Sequence, residues 1–555
     1  MTTKQTYLFI GILALAVFFR LFLIGQLPGG LFPDEAANGL DINSMQQGDL
    51  QPFYERGNGR EALFFYMLWG SVEIFGKTPF AHHLVSGIVG ILTVIITFFV
   101  TRRLVLLADE NGNKDRATWI ALLAMFFVAV STWHIVLSRT AFRANLIPLF
   151  ASLTFYFIVA AVQVKTRAKQ YWMAALAGTA FALGFYTYIA YRILAPVFAI
   201  IVFWPMLVDI FKQPRFLQIK KYFAPTLLAG LAFTIFIFPL AHYFYTHPGS
   251  FVGRSGQVSI FNPELNQGDL PGTFLHVTGL SLKAYFWDGD LNWRHNISGE
   301  PFLSIIISPF LLLGMILTIW FALRYTFLPH KYPRDWVYFA LAGWFWSMLL
   351  PVVTTAEGIP HGLRAIGTIP VVFIITAIGL YRVVEWAHLI TNKYWEGLSH
   401  WKQQFIIFLK TLLIASFVAA LTSQAYILYF IKAANSPEYA YAFRSDLTVV
   451  AEYLNQEGEK TNTYVVVDKF SVQTLDYMTF VDGRNPNNPR NNPYTQIDPE
   501  DSWQLTNLQS GDKIVFTQSS LFDIKKFKEY HPNTYRERQV LNHFGQTVLA
   551  VYVVN

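Results

Sequence analysis

Apolar residues in this chain do not follow the short period of an amphipathic helix or a strand. They come in runs of about 20, the length a helix needs to cross the hydrocarbon core of a bilayer. Eleven such windows can be placed: 6–25, 80–101, 117–137, 145–164, 171–188, 193–211, 223–243, 303–323, 335–353, 366–384 and 404–431. The pattern predicts an all-α polytopic membrane protein with about eleven transmembrane helices. Two long interruptions, 26–79 and 244–302, separate the runs. The second half of the first, from Ala62 to Phe75, is apolar but too short to span, and predicts a helix lying along the membrane surface. From Ser436 the alternation changes. A helix over 437–456, strand-like runs Tyr464–Val467 and Lys513–Phe516, a helix near 519–530 and a last strand from Thr547 to Val554 predict a small α/β domain. The chain therefore divides into a membrane part, 1–431, and a C-terminal domain, 432–555.

Composition agrees: 54% of residues are hydrophobic and 14% charged, with mean hydropathy +0.36, against about 25% charged in a typical soluble protein. The net charge of +7 is expected of basic cytoplasmic loops and gives no support to nucleic-acid binding. With the N-terminus inside, eighteen Lys and Arg fall in the short loops of one side. They include Arg102, Arg103, Lys114, Arg116 and the group from Lys212 to Lys221. Ten fall in the longer loops of the other side. The positive-inside rule then places the N-terminus in the cytoplasm and the C-terminal domain outside. The absence of cysteine excludes disulfides, thiolate metal sites and thiol nucleophiles.

Under this topology the polar motifs collect on the outer face. Asp34 and Glu35 follow the first apolar run directly, where an acidic pair is costly to place and useless as an anchor. Pro33-Asp34-Glu35-Ala36 also reads as a helix start, which acids favour. A base and a helix cap are both open readings. Arg139 and Arg143 lie four apart and would share a helix face; His361 and Arg364 sit before the tenth run. Each alone is explained by snorkelling to headgroups, but together they suit an anionic ligand, for which Arg offers bidentate phosphate recognition. The stretch 289–301 carries Asp290, Asn292, Arg294, His295 and Asn296, with Trp287 and Trp293 alongside, and reads either as an interfacial loop or as a substrate-binding segment. Asn296-Ile297-Ser298 matches a glycosylation sequon. A divalent metal is possible, with Glu35 and Glu61 as candidate ligands. There is no Walker A loop, Rossmann glycine fingerprint, HExxH or GxSxG.

The arrangement resembles the GT-C membrane glycosyltransferases, and more narrowly glycosyltransferase family 39, which holds protein O-mannosyltransferases and lipid A aminoarabinose transferases. The residues carrying the likeness are Asp34-Glu35-Ala36 after the first run, the aromatic segment 62–75, Arg139, the stretch 289–296 and the His-Gly-x-Arg of 361–364. The resemblance implies an inverting transfer of a sugar from a polyprenyl-phosphate donor to an acceptor hydroxyl, outside a bacterial inner membrane. Asp34 would be the base, with Glu35 supporting it or a metal. Arg139 and Arg364, with Arg143 and His361, would hold the donor phosphate. Asp290, Asn292, Arg294, His295, Asn296 and Glu61 would contact substrate. Relatives often carry a basic residue or His followed by Pro-Leu before the aromatic segment. This chain has Arg60-Glu61-Ala62-Leu63, which leaves Arg60 as a substitute phosphate contact. The partners implied are the lipid-linked donor, a protein, lipid or glycan acceptor, and membrane lipid.

Two other classes remain open. A transporter or flippase of a lipid-linked saccharide calls for mid-span polar groups, of which Arg20 and the pair His82-His83 come nearest. A non-catalytic scaffold calls for no site at all.

Overall fold

The computed structural model describes residues 1–212, 217–252, 258–329, 331–395, 397–457, 462–479 and 494–555. The Pro/Asn-rich loop 485–493, Arg215 and Arg254 lie outside them. The chain forms two compact units: one of Met1–Phe22 with Ser86–Lys432, the other of Leu23–Val85 with Ala433–Asn555.

The first unit is helical, and each of the eleven apolar windows carries a helix. Among the described residues nine helices are long and apolar enough to cross a membrane. A tenth span is the pair Lys114–Val130 and Thr132–Ser138, bent by 61°. Ser131 makes this break, its hydroxyl accepting from the His134 N–H to cap the second half. The fifth window, 171–188, holds the helix Arg167–Gly184, which falls short in hydropathy because Arg167, Lys169 and Gln170 occupy its first turn. The chain is a multi-pass membrane protein, with nine to ten apolar spans among the described residues.

Apolar burial drives helix association weakly in lipid, so close backbone approach matters more. A Cβ at Gly314 would lie 2.1 Å from the Ile375 carbonyl oxygen, and one at Gly379 2.1 Å from that of Phe310. This mutual pair lets Ser308–Phe327 pack closely against Val371–Trp395.

The second unit is built on a five-stranded sheet ordered 495–497, 463–466, 513–517, 547–554, 534–541. The first three strands are parallel and the last two antiparallel. Alternate residues point to opposite faces. Val465, Val467, Val515, Leu549 and Val551 form one core with Leu447, Val450 and Leu454 of the helix Ser445–Glu457. Val466, Ile514, Phe516, Ala550 and Tyr552 form the other with Phe527 of Ile524–Tyr530. The helix expected over 437–456 is two, Pro437–Ala442 and Ser445–Glu457, divided at Arg444 with φ 50°. The strand Thr534–Leu541 was not anticipated. It lies at the sheet edge with an exposed charged run, Arg536-Glu537-Arg538, and so lacks the apolar alternation of a half-buried strand.

The segment 23–85 belongs to this unit. Gly30 lies against the backbone at Phe443, where a Cβ would be 2.2 Å from the carbonyl oxygen. Thr474 Oγ1 donates to the Leu31 carbonyl at 3.1 Å. Leu31, Ala36 and Leu40 pack with Tyr477, whose ring occupies the space a side chain at Gly39 would need. The segment 62–75 forms the 13-residue helix Leu63–Phe75.

Candidate functional site

In the second unit the helix Pro33–Gln46 begins at Pro33, whose fixed φ suits the first helical position. The two acids of the pair Asp34-Glu35 are placed differently. Glu35 is fully buried. Its Oε2 accepts from the Phe32 N–H at 2.9 Å, closing the helix start, and its Oε1 lies 3.2 Å from His83 Nε2. Asp34 faces the other way. From Gly30 to Asn43 every residue is buried except Asp34. His82, the residue before His83 in the chain, bonds the Tyr477 hydroxyl at 2.8 Å.

On the same helix Asn38 and Asp41 follow Asp34 at spacings of four and three, so the three share a face. Asp41 is bracketed: Arg56 Nε donates to Oδ1 at 2.9 Å and Arg60 donates to Oδ2. Arg60 also donates to Asn38 Oδ1 at 2.9 Å and to the carbonyls of Arg56 and Ala37. The residue expected to contact phosphate is thus buried and neutralised by Asp41. Glu61 is buried beside it in the strand pair Phe53–Tyr54 and Arg60–Glu61. Sequence reading missed Asn38 and Asp41, both legible in the helical spacing from Asp34, and noted His83 only as a polar group of the second span and not as a partner of Glu35.

Lys77 lies just before the helix Pro79–Ala108, 5.6 Å from the Tyr477 ring centroid. Partial burial lowers its pKa to about 8.

In the first unit Arg139 and Arg143 do not share a helix face. Arg139 ends the helix Thr132–Ser138, and Arg143 opens the next after the break Thr140–Phe142. Arg139 is fully buried, donating to the carbonyls of Phe19 and Phe22 at 3.1 and 2.8 Å and to the Tyr429 hydroxyl at 2.9 Å. Tyr429 sits in a π-helical stretch, Ile427–Ala433. Arg143 lies 5.1 Å over the Tyr188 ring and is partly exposed. Arg20 is also buried, held by the carbonyls of Ala16, Val128 and Ala129 and 2.7 Å from His134 Nδ1.

The stretch 289–301 folds on itself. Gly289 N–H donates to the Gly299 carbonyl and Gly299 N–H to that of Asp290. A Cβ at Gly289 would stand 1.9 Å from the Glu300 oxygen, so only glycine fits this closure. Asp290 Oδ1 accepts from the Asn292 N–H at 2.8 Å. Its Oδ2 accepts from the Gly362 N–H at 2.7 Å and lies 3.0 Å from His295 Nδ1 and 4.0 Å from His361 Nδ1. The two imidazoles stack with centroids 4.5 Å apart. Burial lowers the His295 pKa, opposed by Asp290. Asn292 Oδ1 accepts from Arg294, backbone and side chain. Arg364 donates to Thr355 Oγ1 at 3.0 Å and the Glu357 carbonyl at 2.7 Å. Asn296 is buried, its Nδ2 donating to the Glu300 carbonyl, so the sequon carries no accessible amide. Trp287 is exposed and Trp293 partly so.

Asp290, His295 and His361 are, among the described residues, the one group of three whose ligand atoms all lie within 4.8 Å of one another. Glu35 and Glu61 do not belong to it.

No protein-family model matches the chain, and no curated protein matches it. Solved structures do. ArnT from Cupriavidus metallidurans in the apo state aligns over 99% of this chain and 98% of its own, with TM-score 0.54 and 12% identity. The same enzyme bound to undecaprenyl phosphate aligns over the same shares at TM-score 0.50 and 12% identity. The Archaeoglobus fulgidus oligosaccharyltransferase tethered with an acceptor peptide aligns over 100% of this chain and 74% of its own, at TM-score 0.51 and 12% identity. Likeness at this identity is a likeness of fold: the chain has the GT-C fold of these membrane glycosyltransferases.

Proposed function

We propose that the protein is an inverting glycosyltransferase of the family 39 type, moving a sugar from a polyprenyl-phosphate donor to an acceptor hydroxyl, with Asp34 as the base. The observation that carries this reading is the exposure of Asp34 alone in an otherwise buried helix start. Its neighbour Glu35 is consumed by the Phe32 N–H and His83, and Asp41 by two guanidinium groups. Asp34 is the carboxylate of that helix left facing outward, where a hydroxyl can reach it.

The chemistry needs little else. An acceptor hydroxyl is a poor nucleophile near neutral pH. Proton transfer to a positioned carboxylate contributes about 10²- to 10⁴-fold. The acceptor oxygen attacks the anomeric carbon as its proton passes to Asp34. The bond from that carbon to the phosphate oxygen breaks, and the lipid phosphate leaves with the electron pair and inverted stereochemistry at carbon. Guanidinium groups stabilise the charge that grows on the leaving phosphate. Arg143 and Arg364, both partly exposed, are the proposed donors. Arg139 is proposed to brace the first span through its carbonyl contacts. The charge asymmetry of the loops supports a cytoplasmic N-terminus and chemistry on the opposite face. The undecaprenyl phosphate bound by ArnT supports a polyprenyl-phosphate donor.

The test is transfer by the purified protein in nanodiscs from a panel of radiolabelled polyprenyl-phosphate sugars to a mixed acceptor extract. Release of polyprenyl phosphate that vanishes in Asp34→Asn, with donor binding retained, is the expected result. Donor bound but never consumed by the wild type, with movement of label across the bilayer, would replace this reading with transport.

A further inference from the structure

We propose that Asp290, His295 and His361 form a binding site for a zinc-type divalent cation. The site stands whether or not the chain transfers sugars.

The donor set is two imidazole nitrogens and one carboxylate oxygen. This mixture suits zinc and its first-row neighbours, whereas calcium and magnesium favour oxygen ligands. Ligands bound to one tetrahedral zinc lie about 3.3 Å apart, given metal–ligand bonds near 2 Å. The separations from Asp290 Oδ2, 3.0 Å to His295 and 4.0 Å to His361, fall on either side of that value. All three ligand atoms lie within 4.8 Å of one another, so closing the set around an ion calls for adjustment of side chains and not of the fold.

The surroundings prepare the ligands. Backbone N–H groups of Asn292 and Gly362 each hold one oxygen of Asp290, fixing the carboxylate as outer partners of metal ligands commonly do. Gly362 reaches it only because it has no side chain: a Cβ there would stand 2.9 Å from the His295 carbonyl oxygen. Trp133 Nε1 donates to the Gly362 carbonyl at 3.1 Å and anchors the segment from beneath. His295 is nearly fully buried, while the His361 side chain is 15% exposed. The exposed side gives an ion its path in and leaves a fourth position for solvent. Binding puts the cation in place of the hydrogen between Asp290 and His295, and the neutral His295 ring then carries its proton on Nε2 instead of Nδ1. The bound ion would join the 289–301 loop to the segment ahead of helix Val371–Trp395.

The experiment uses the full chain in detergent, carried on a tag without histidine, stripped with chelator and titrated with Zn²⁺, with Mg²⁺ as control. Bound metal is read by mass spectrometry and calorimetry, and geometry by the visible spectrum of the Co²⁺ form. The wild type is expected to hold about one Zn²⁺ per chain in a low-coordinate site. Asp290→Asn and His361→Gln should each weaken it by roughly tenfold or more, in the range seen when metal-site groups are lost. His543→Gln, at an exposed histidine of the other unit, should leave it unchanged. His361→Gln keeps a polar side chain of similar reach, so it serves if Asp290→Asn fails to fold. Zinc binding no tighter than magnesium in the wild type, or unaltered in a folded His361→Gln, would overturn the assignment.

Discussion

Asp41 and Asp290 are both buried aspartates with each oxygen engaged, yet the groups around them differ in kind. Asp41 faces two guanidinium groups, Arg56 and Arg60, which keep their charge at any ordinary pH. Its charge is answered permanently, and the cluster works as a rivet between helix Pro33–Gln46 and the strand pair after it. Asp290 faces two imidazoles and two backbone N–H groups. None of these carries a fixed charge, so the carboxylate can exchange a shared proton for an ion. Asp34, in the same helix as Asp41, has neither surround and is exposed. On the roles proposed above, the partner, more than the carboxylate, sets whether the residue holds structure, binds metal or does chemistry.

The contrast within helix 33–46 can be broken by substitution. Asp34→Asn should cost at least about 10²-fold in turnover, the lower end of general-base contributions, while the thermal midpoint stays at the wild-type value. Asp41→Asn should reverse this. The buried Arg60 guanidinium loses its counter-charge, at about 3–5 kcal/mol, read as a clear fall in the thermal midpoint. If Asp41→Asn leaves stability intact and abolishes turnover, the division of labour is wrong. Gly39→Val should be milder. Its Cβ would sit 2.3 Å from the Tyr477 ring, and overpacking of that kind costs about 1–3 kcal/mol. Since Tyr477 also holds His82, both stability and turnover should drop.

The smallest effect is at Lys77. Its pKa in the fold, about 8, lies below the ordinary lysine value of 10.5. Between those two pH values the unfolded chain binds the extra proton, so stability rises with pH across the window. At neutral pH the charged lysine is therefore a burden. Lys77→Met should raise the stability by about 1 kcal/mol at pH 7, after allowance for solvent screening, and leave it unchanged above pH 11. A gain that persists at high pH would show that packing, not charge, is responsible.

Much of the membrane architecture was legible, because a run of apolar residues has one outcome in lipid. Helices appeared at every window, and only Arg167–Gly184 proved too polar to qualify as a span. The sheet was read where alternation is strong, at 464–467, 513–516 and 547–554, and missed at 534–541, whose exposed edge carries charge. The arginines were harder. Spacing of four placed Arg139 and Arg143 on one face, but the break at Thr140–Phe142 separates them. Arg60 read as a free basic group because its partner lies 19 residues upstream, beyond any local pattern. Asp290 and its histidines were all singled out as polar ligands. That they converge on one point depends on the fold bringing residue 361 to residue 290, which no spacing reports.

The most direct test of the central claim is a single-turnover measurement at saturating donor, comparing wild type, Asp34→Asn and Asp41→Asn in nanodiscs, with donor affinity measured in parallel. The account predicts that Asp34→Asn binds donor as the wild type does and releases polyprenyl phosphate at least about 10²-fold more slowly. Turnover by a folded Asp34→Asn at the wild-type rate would contradict it and move the base elsewhere.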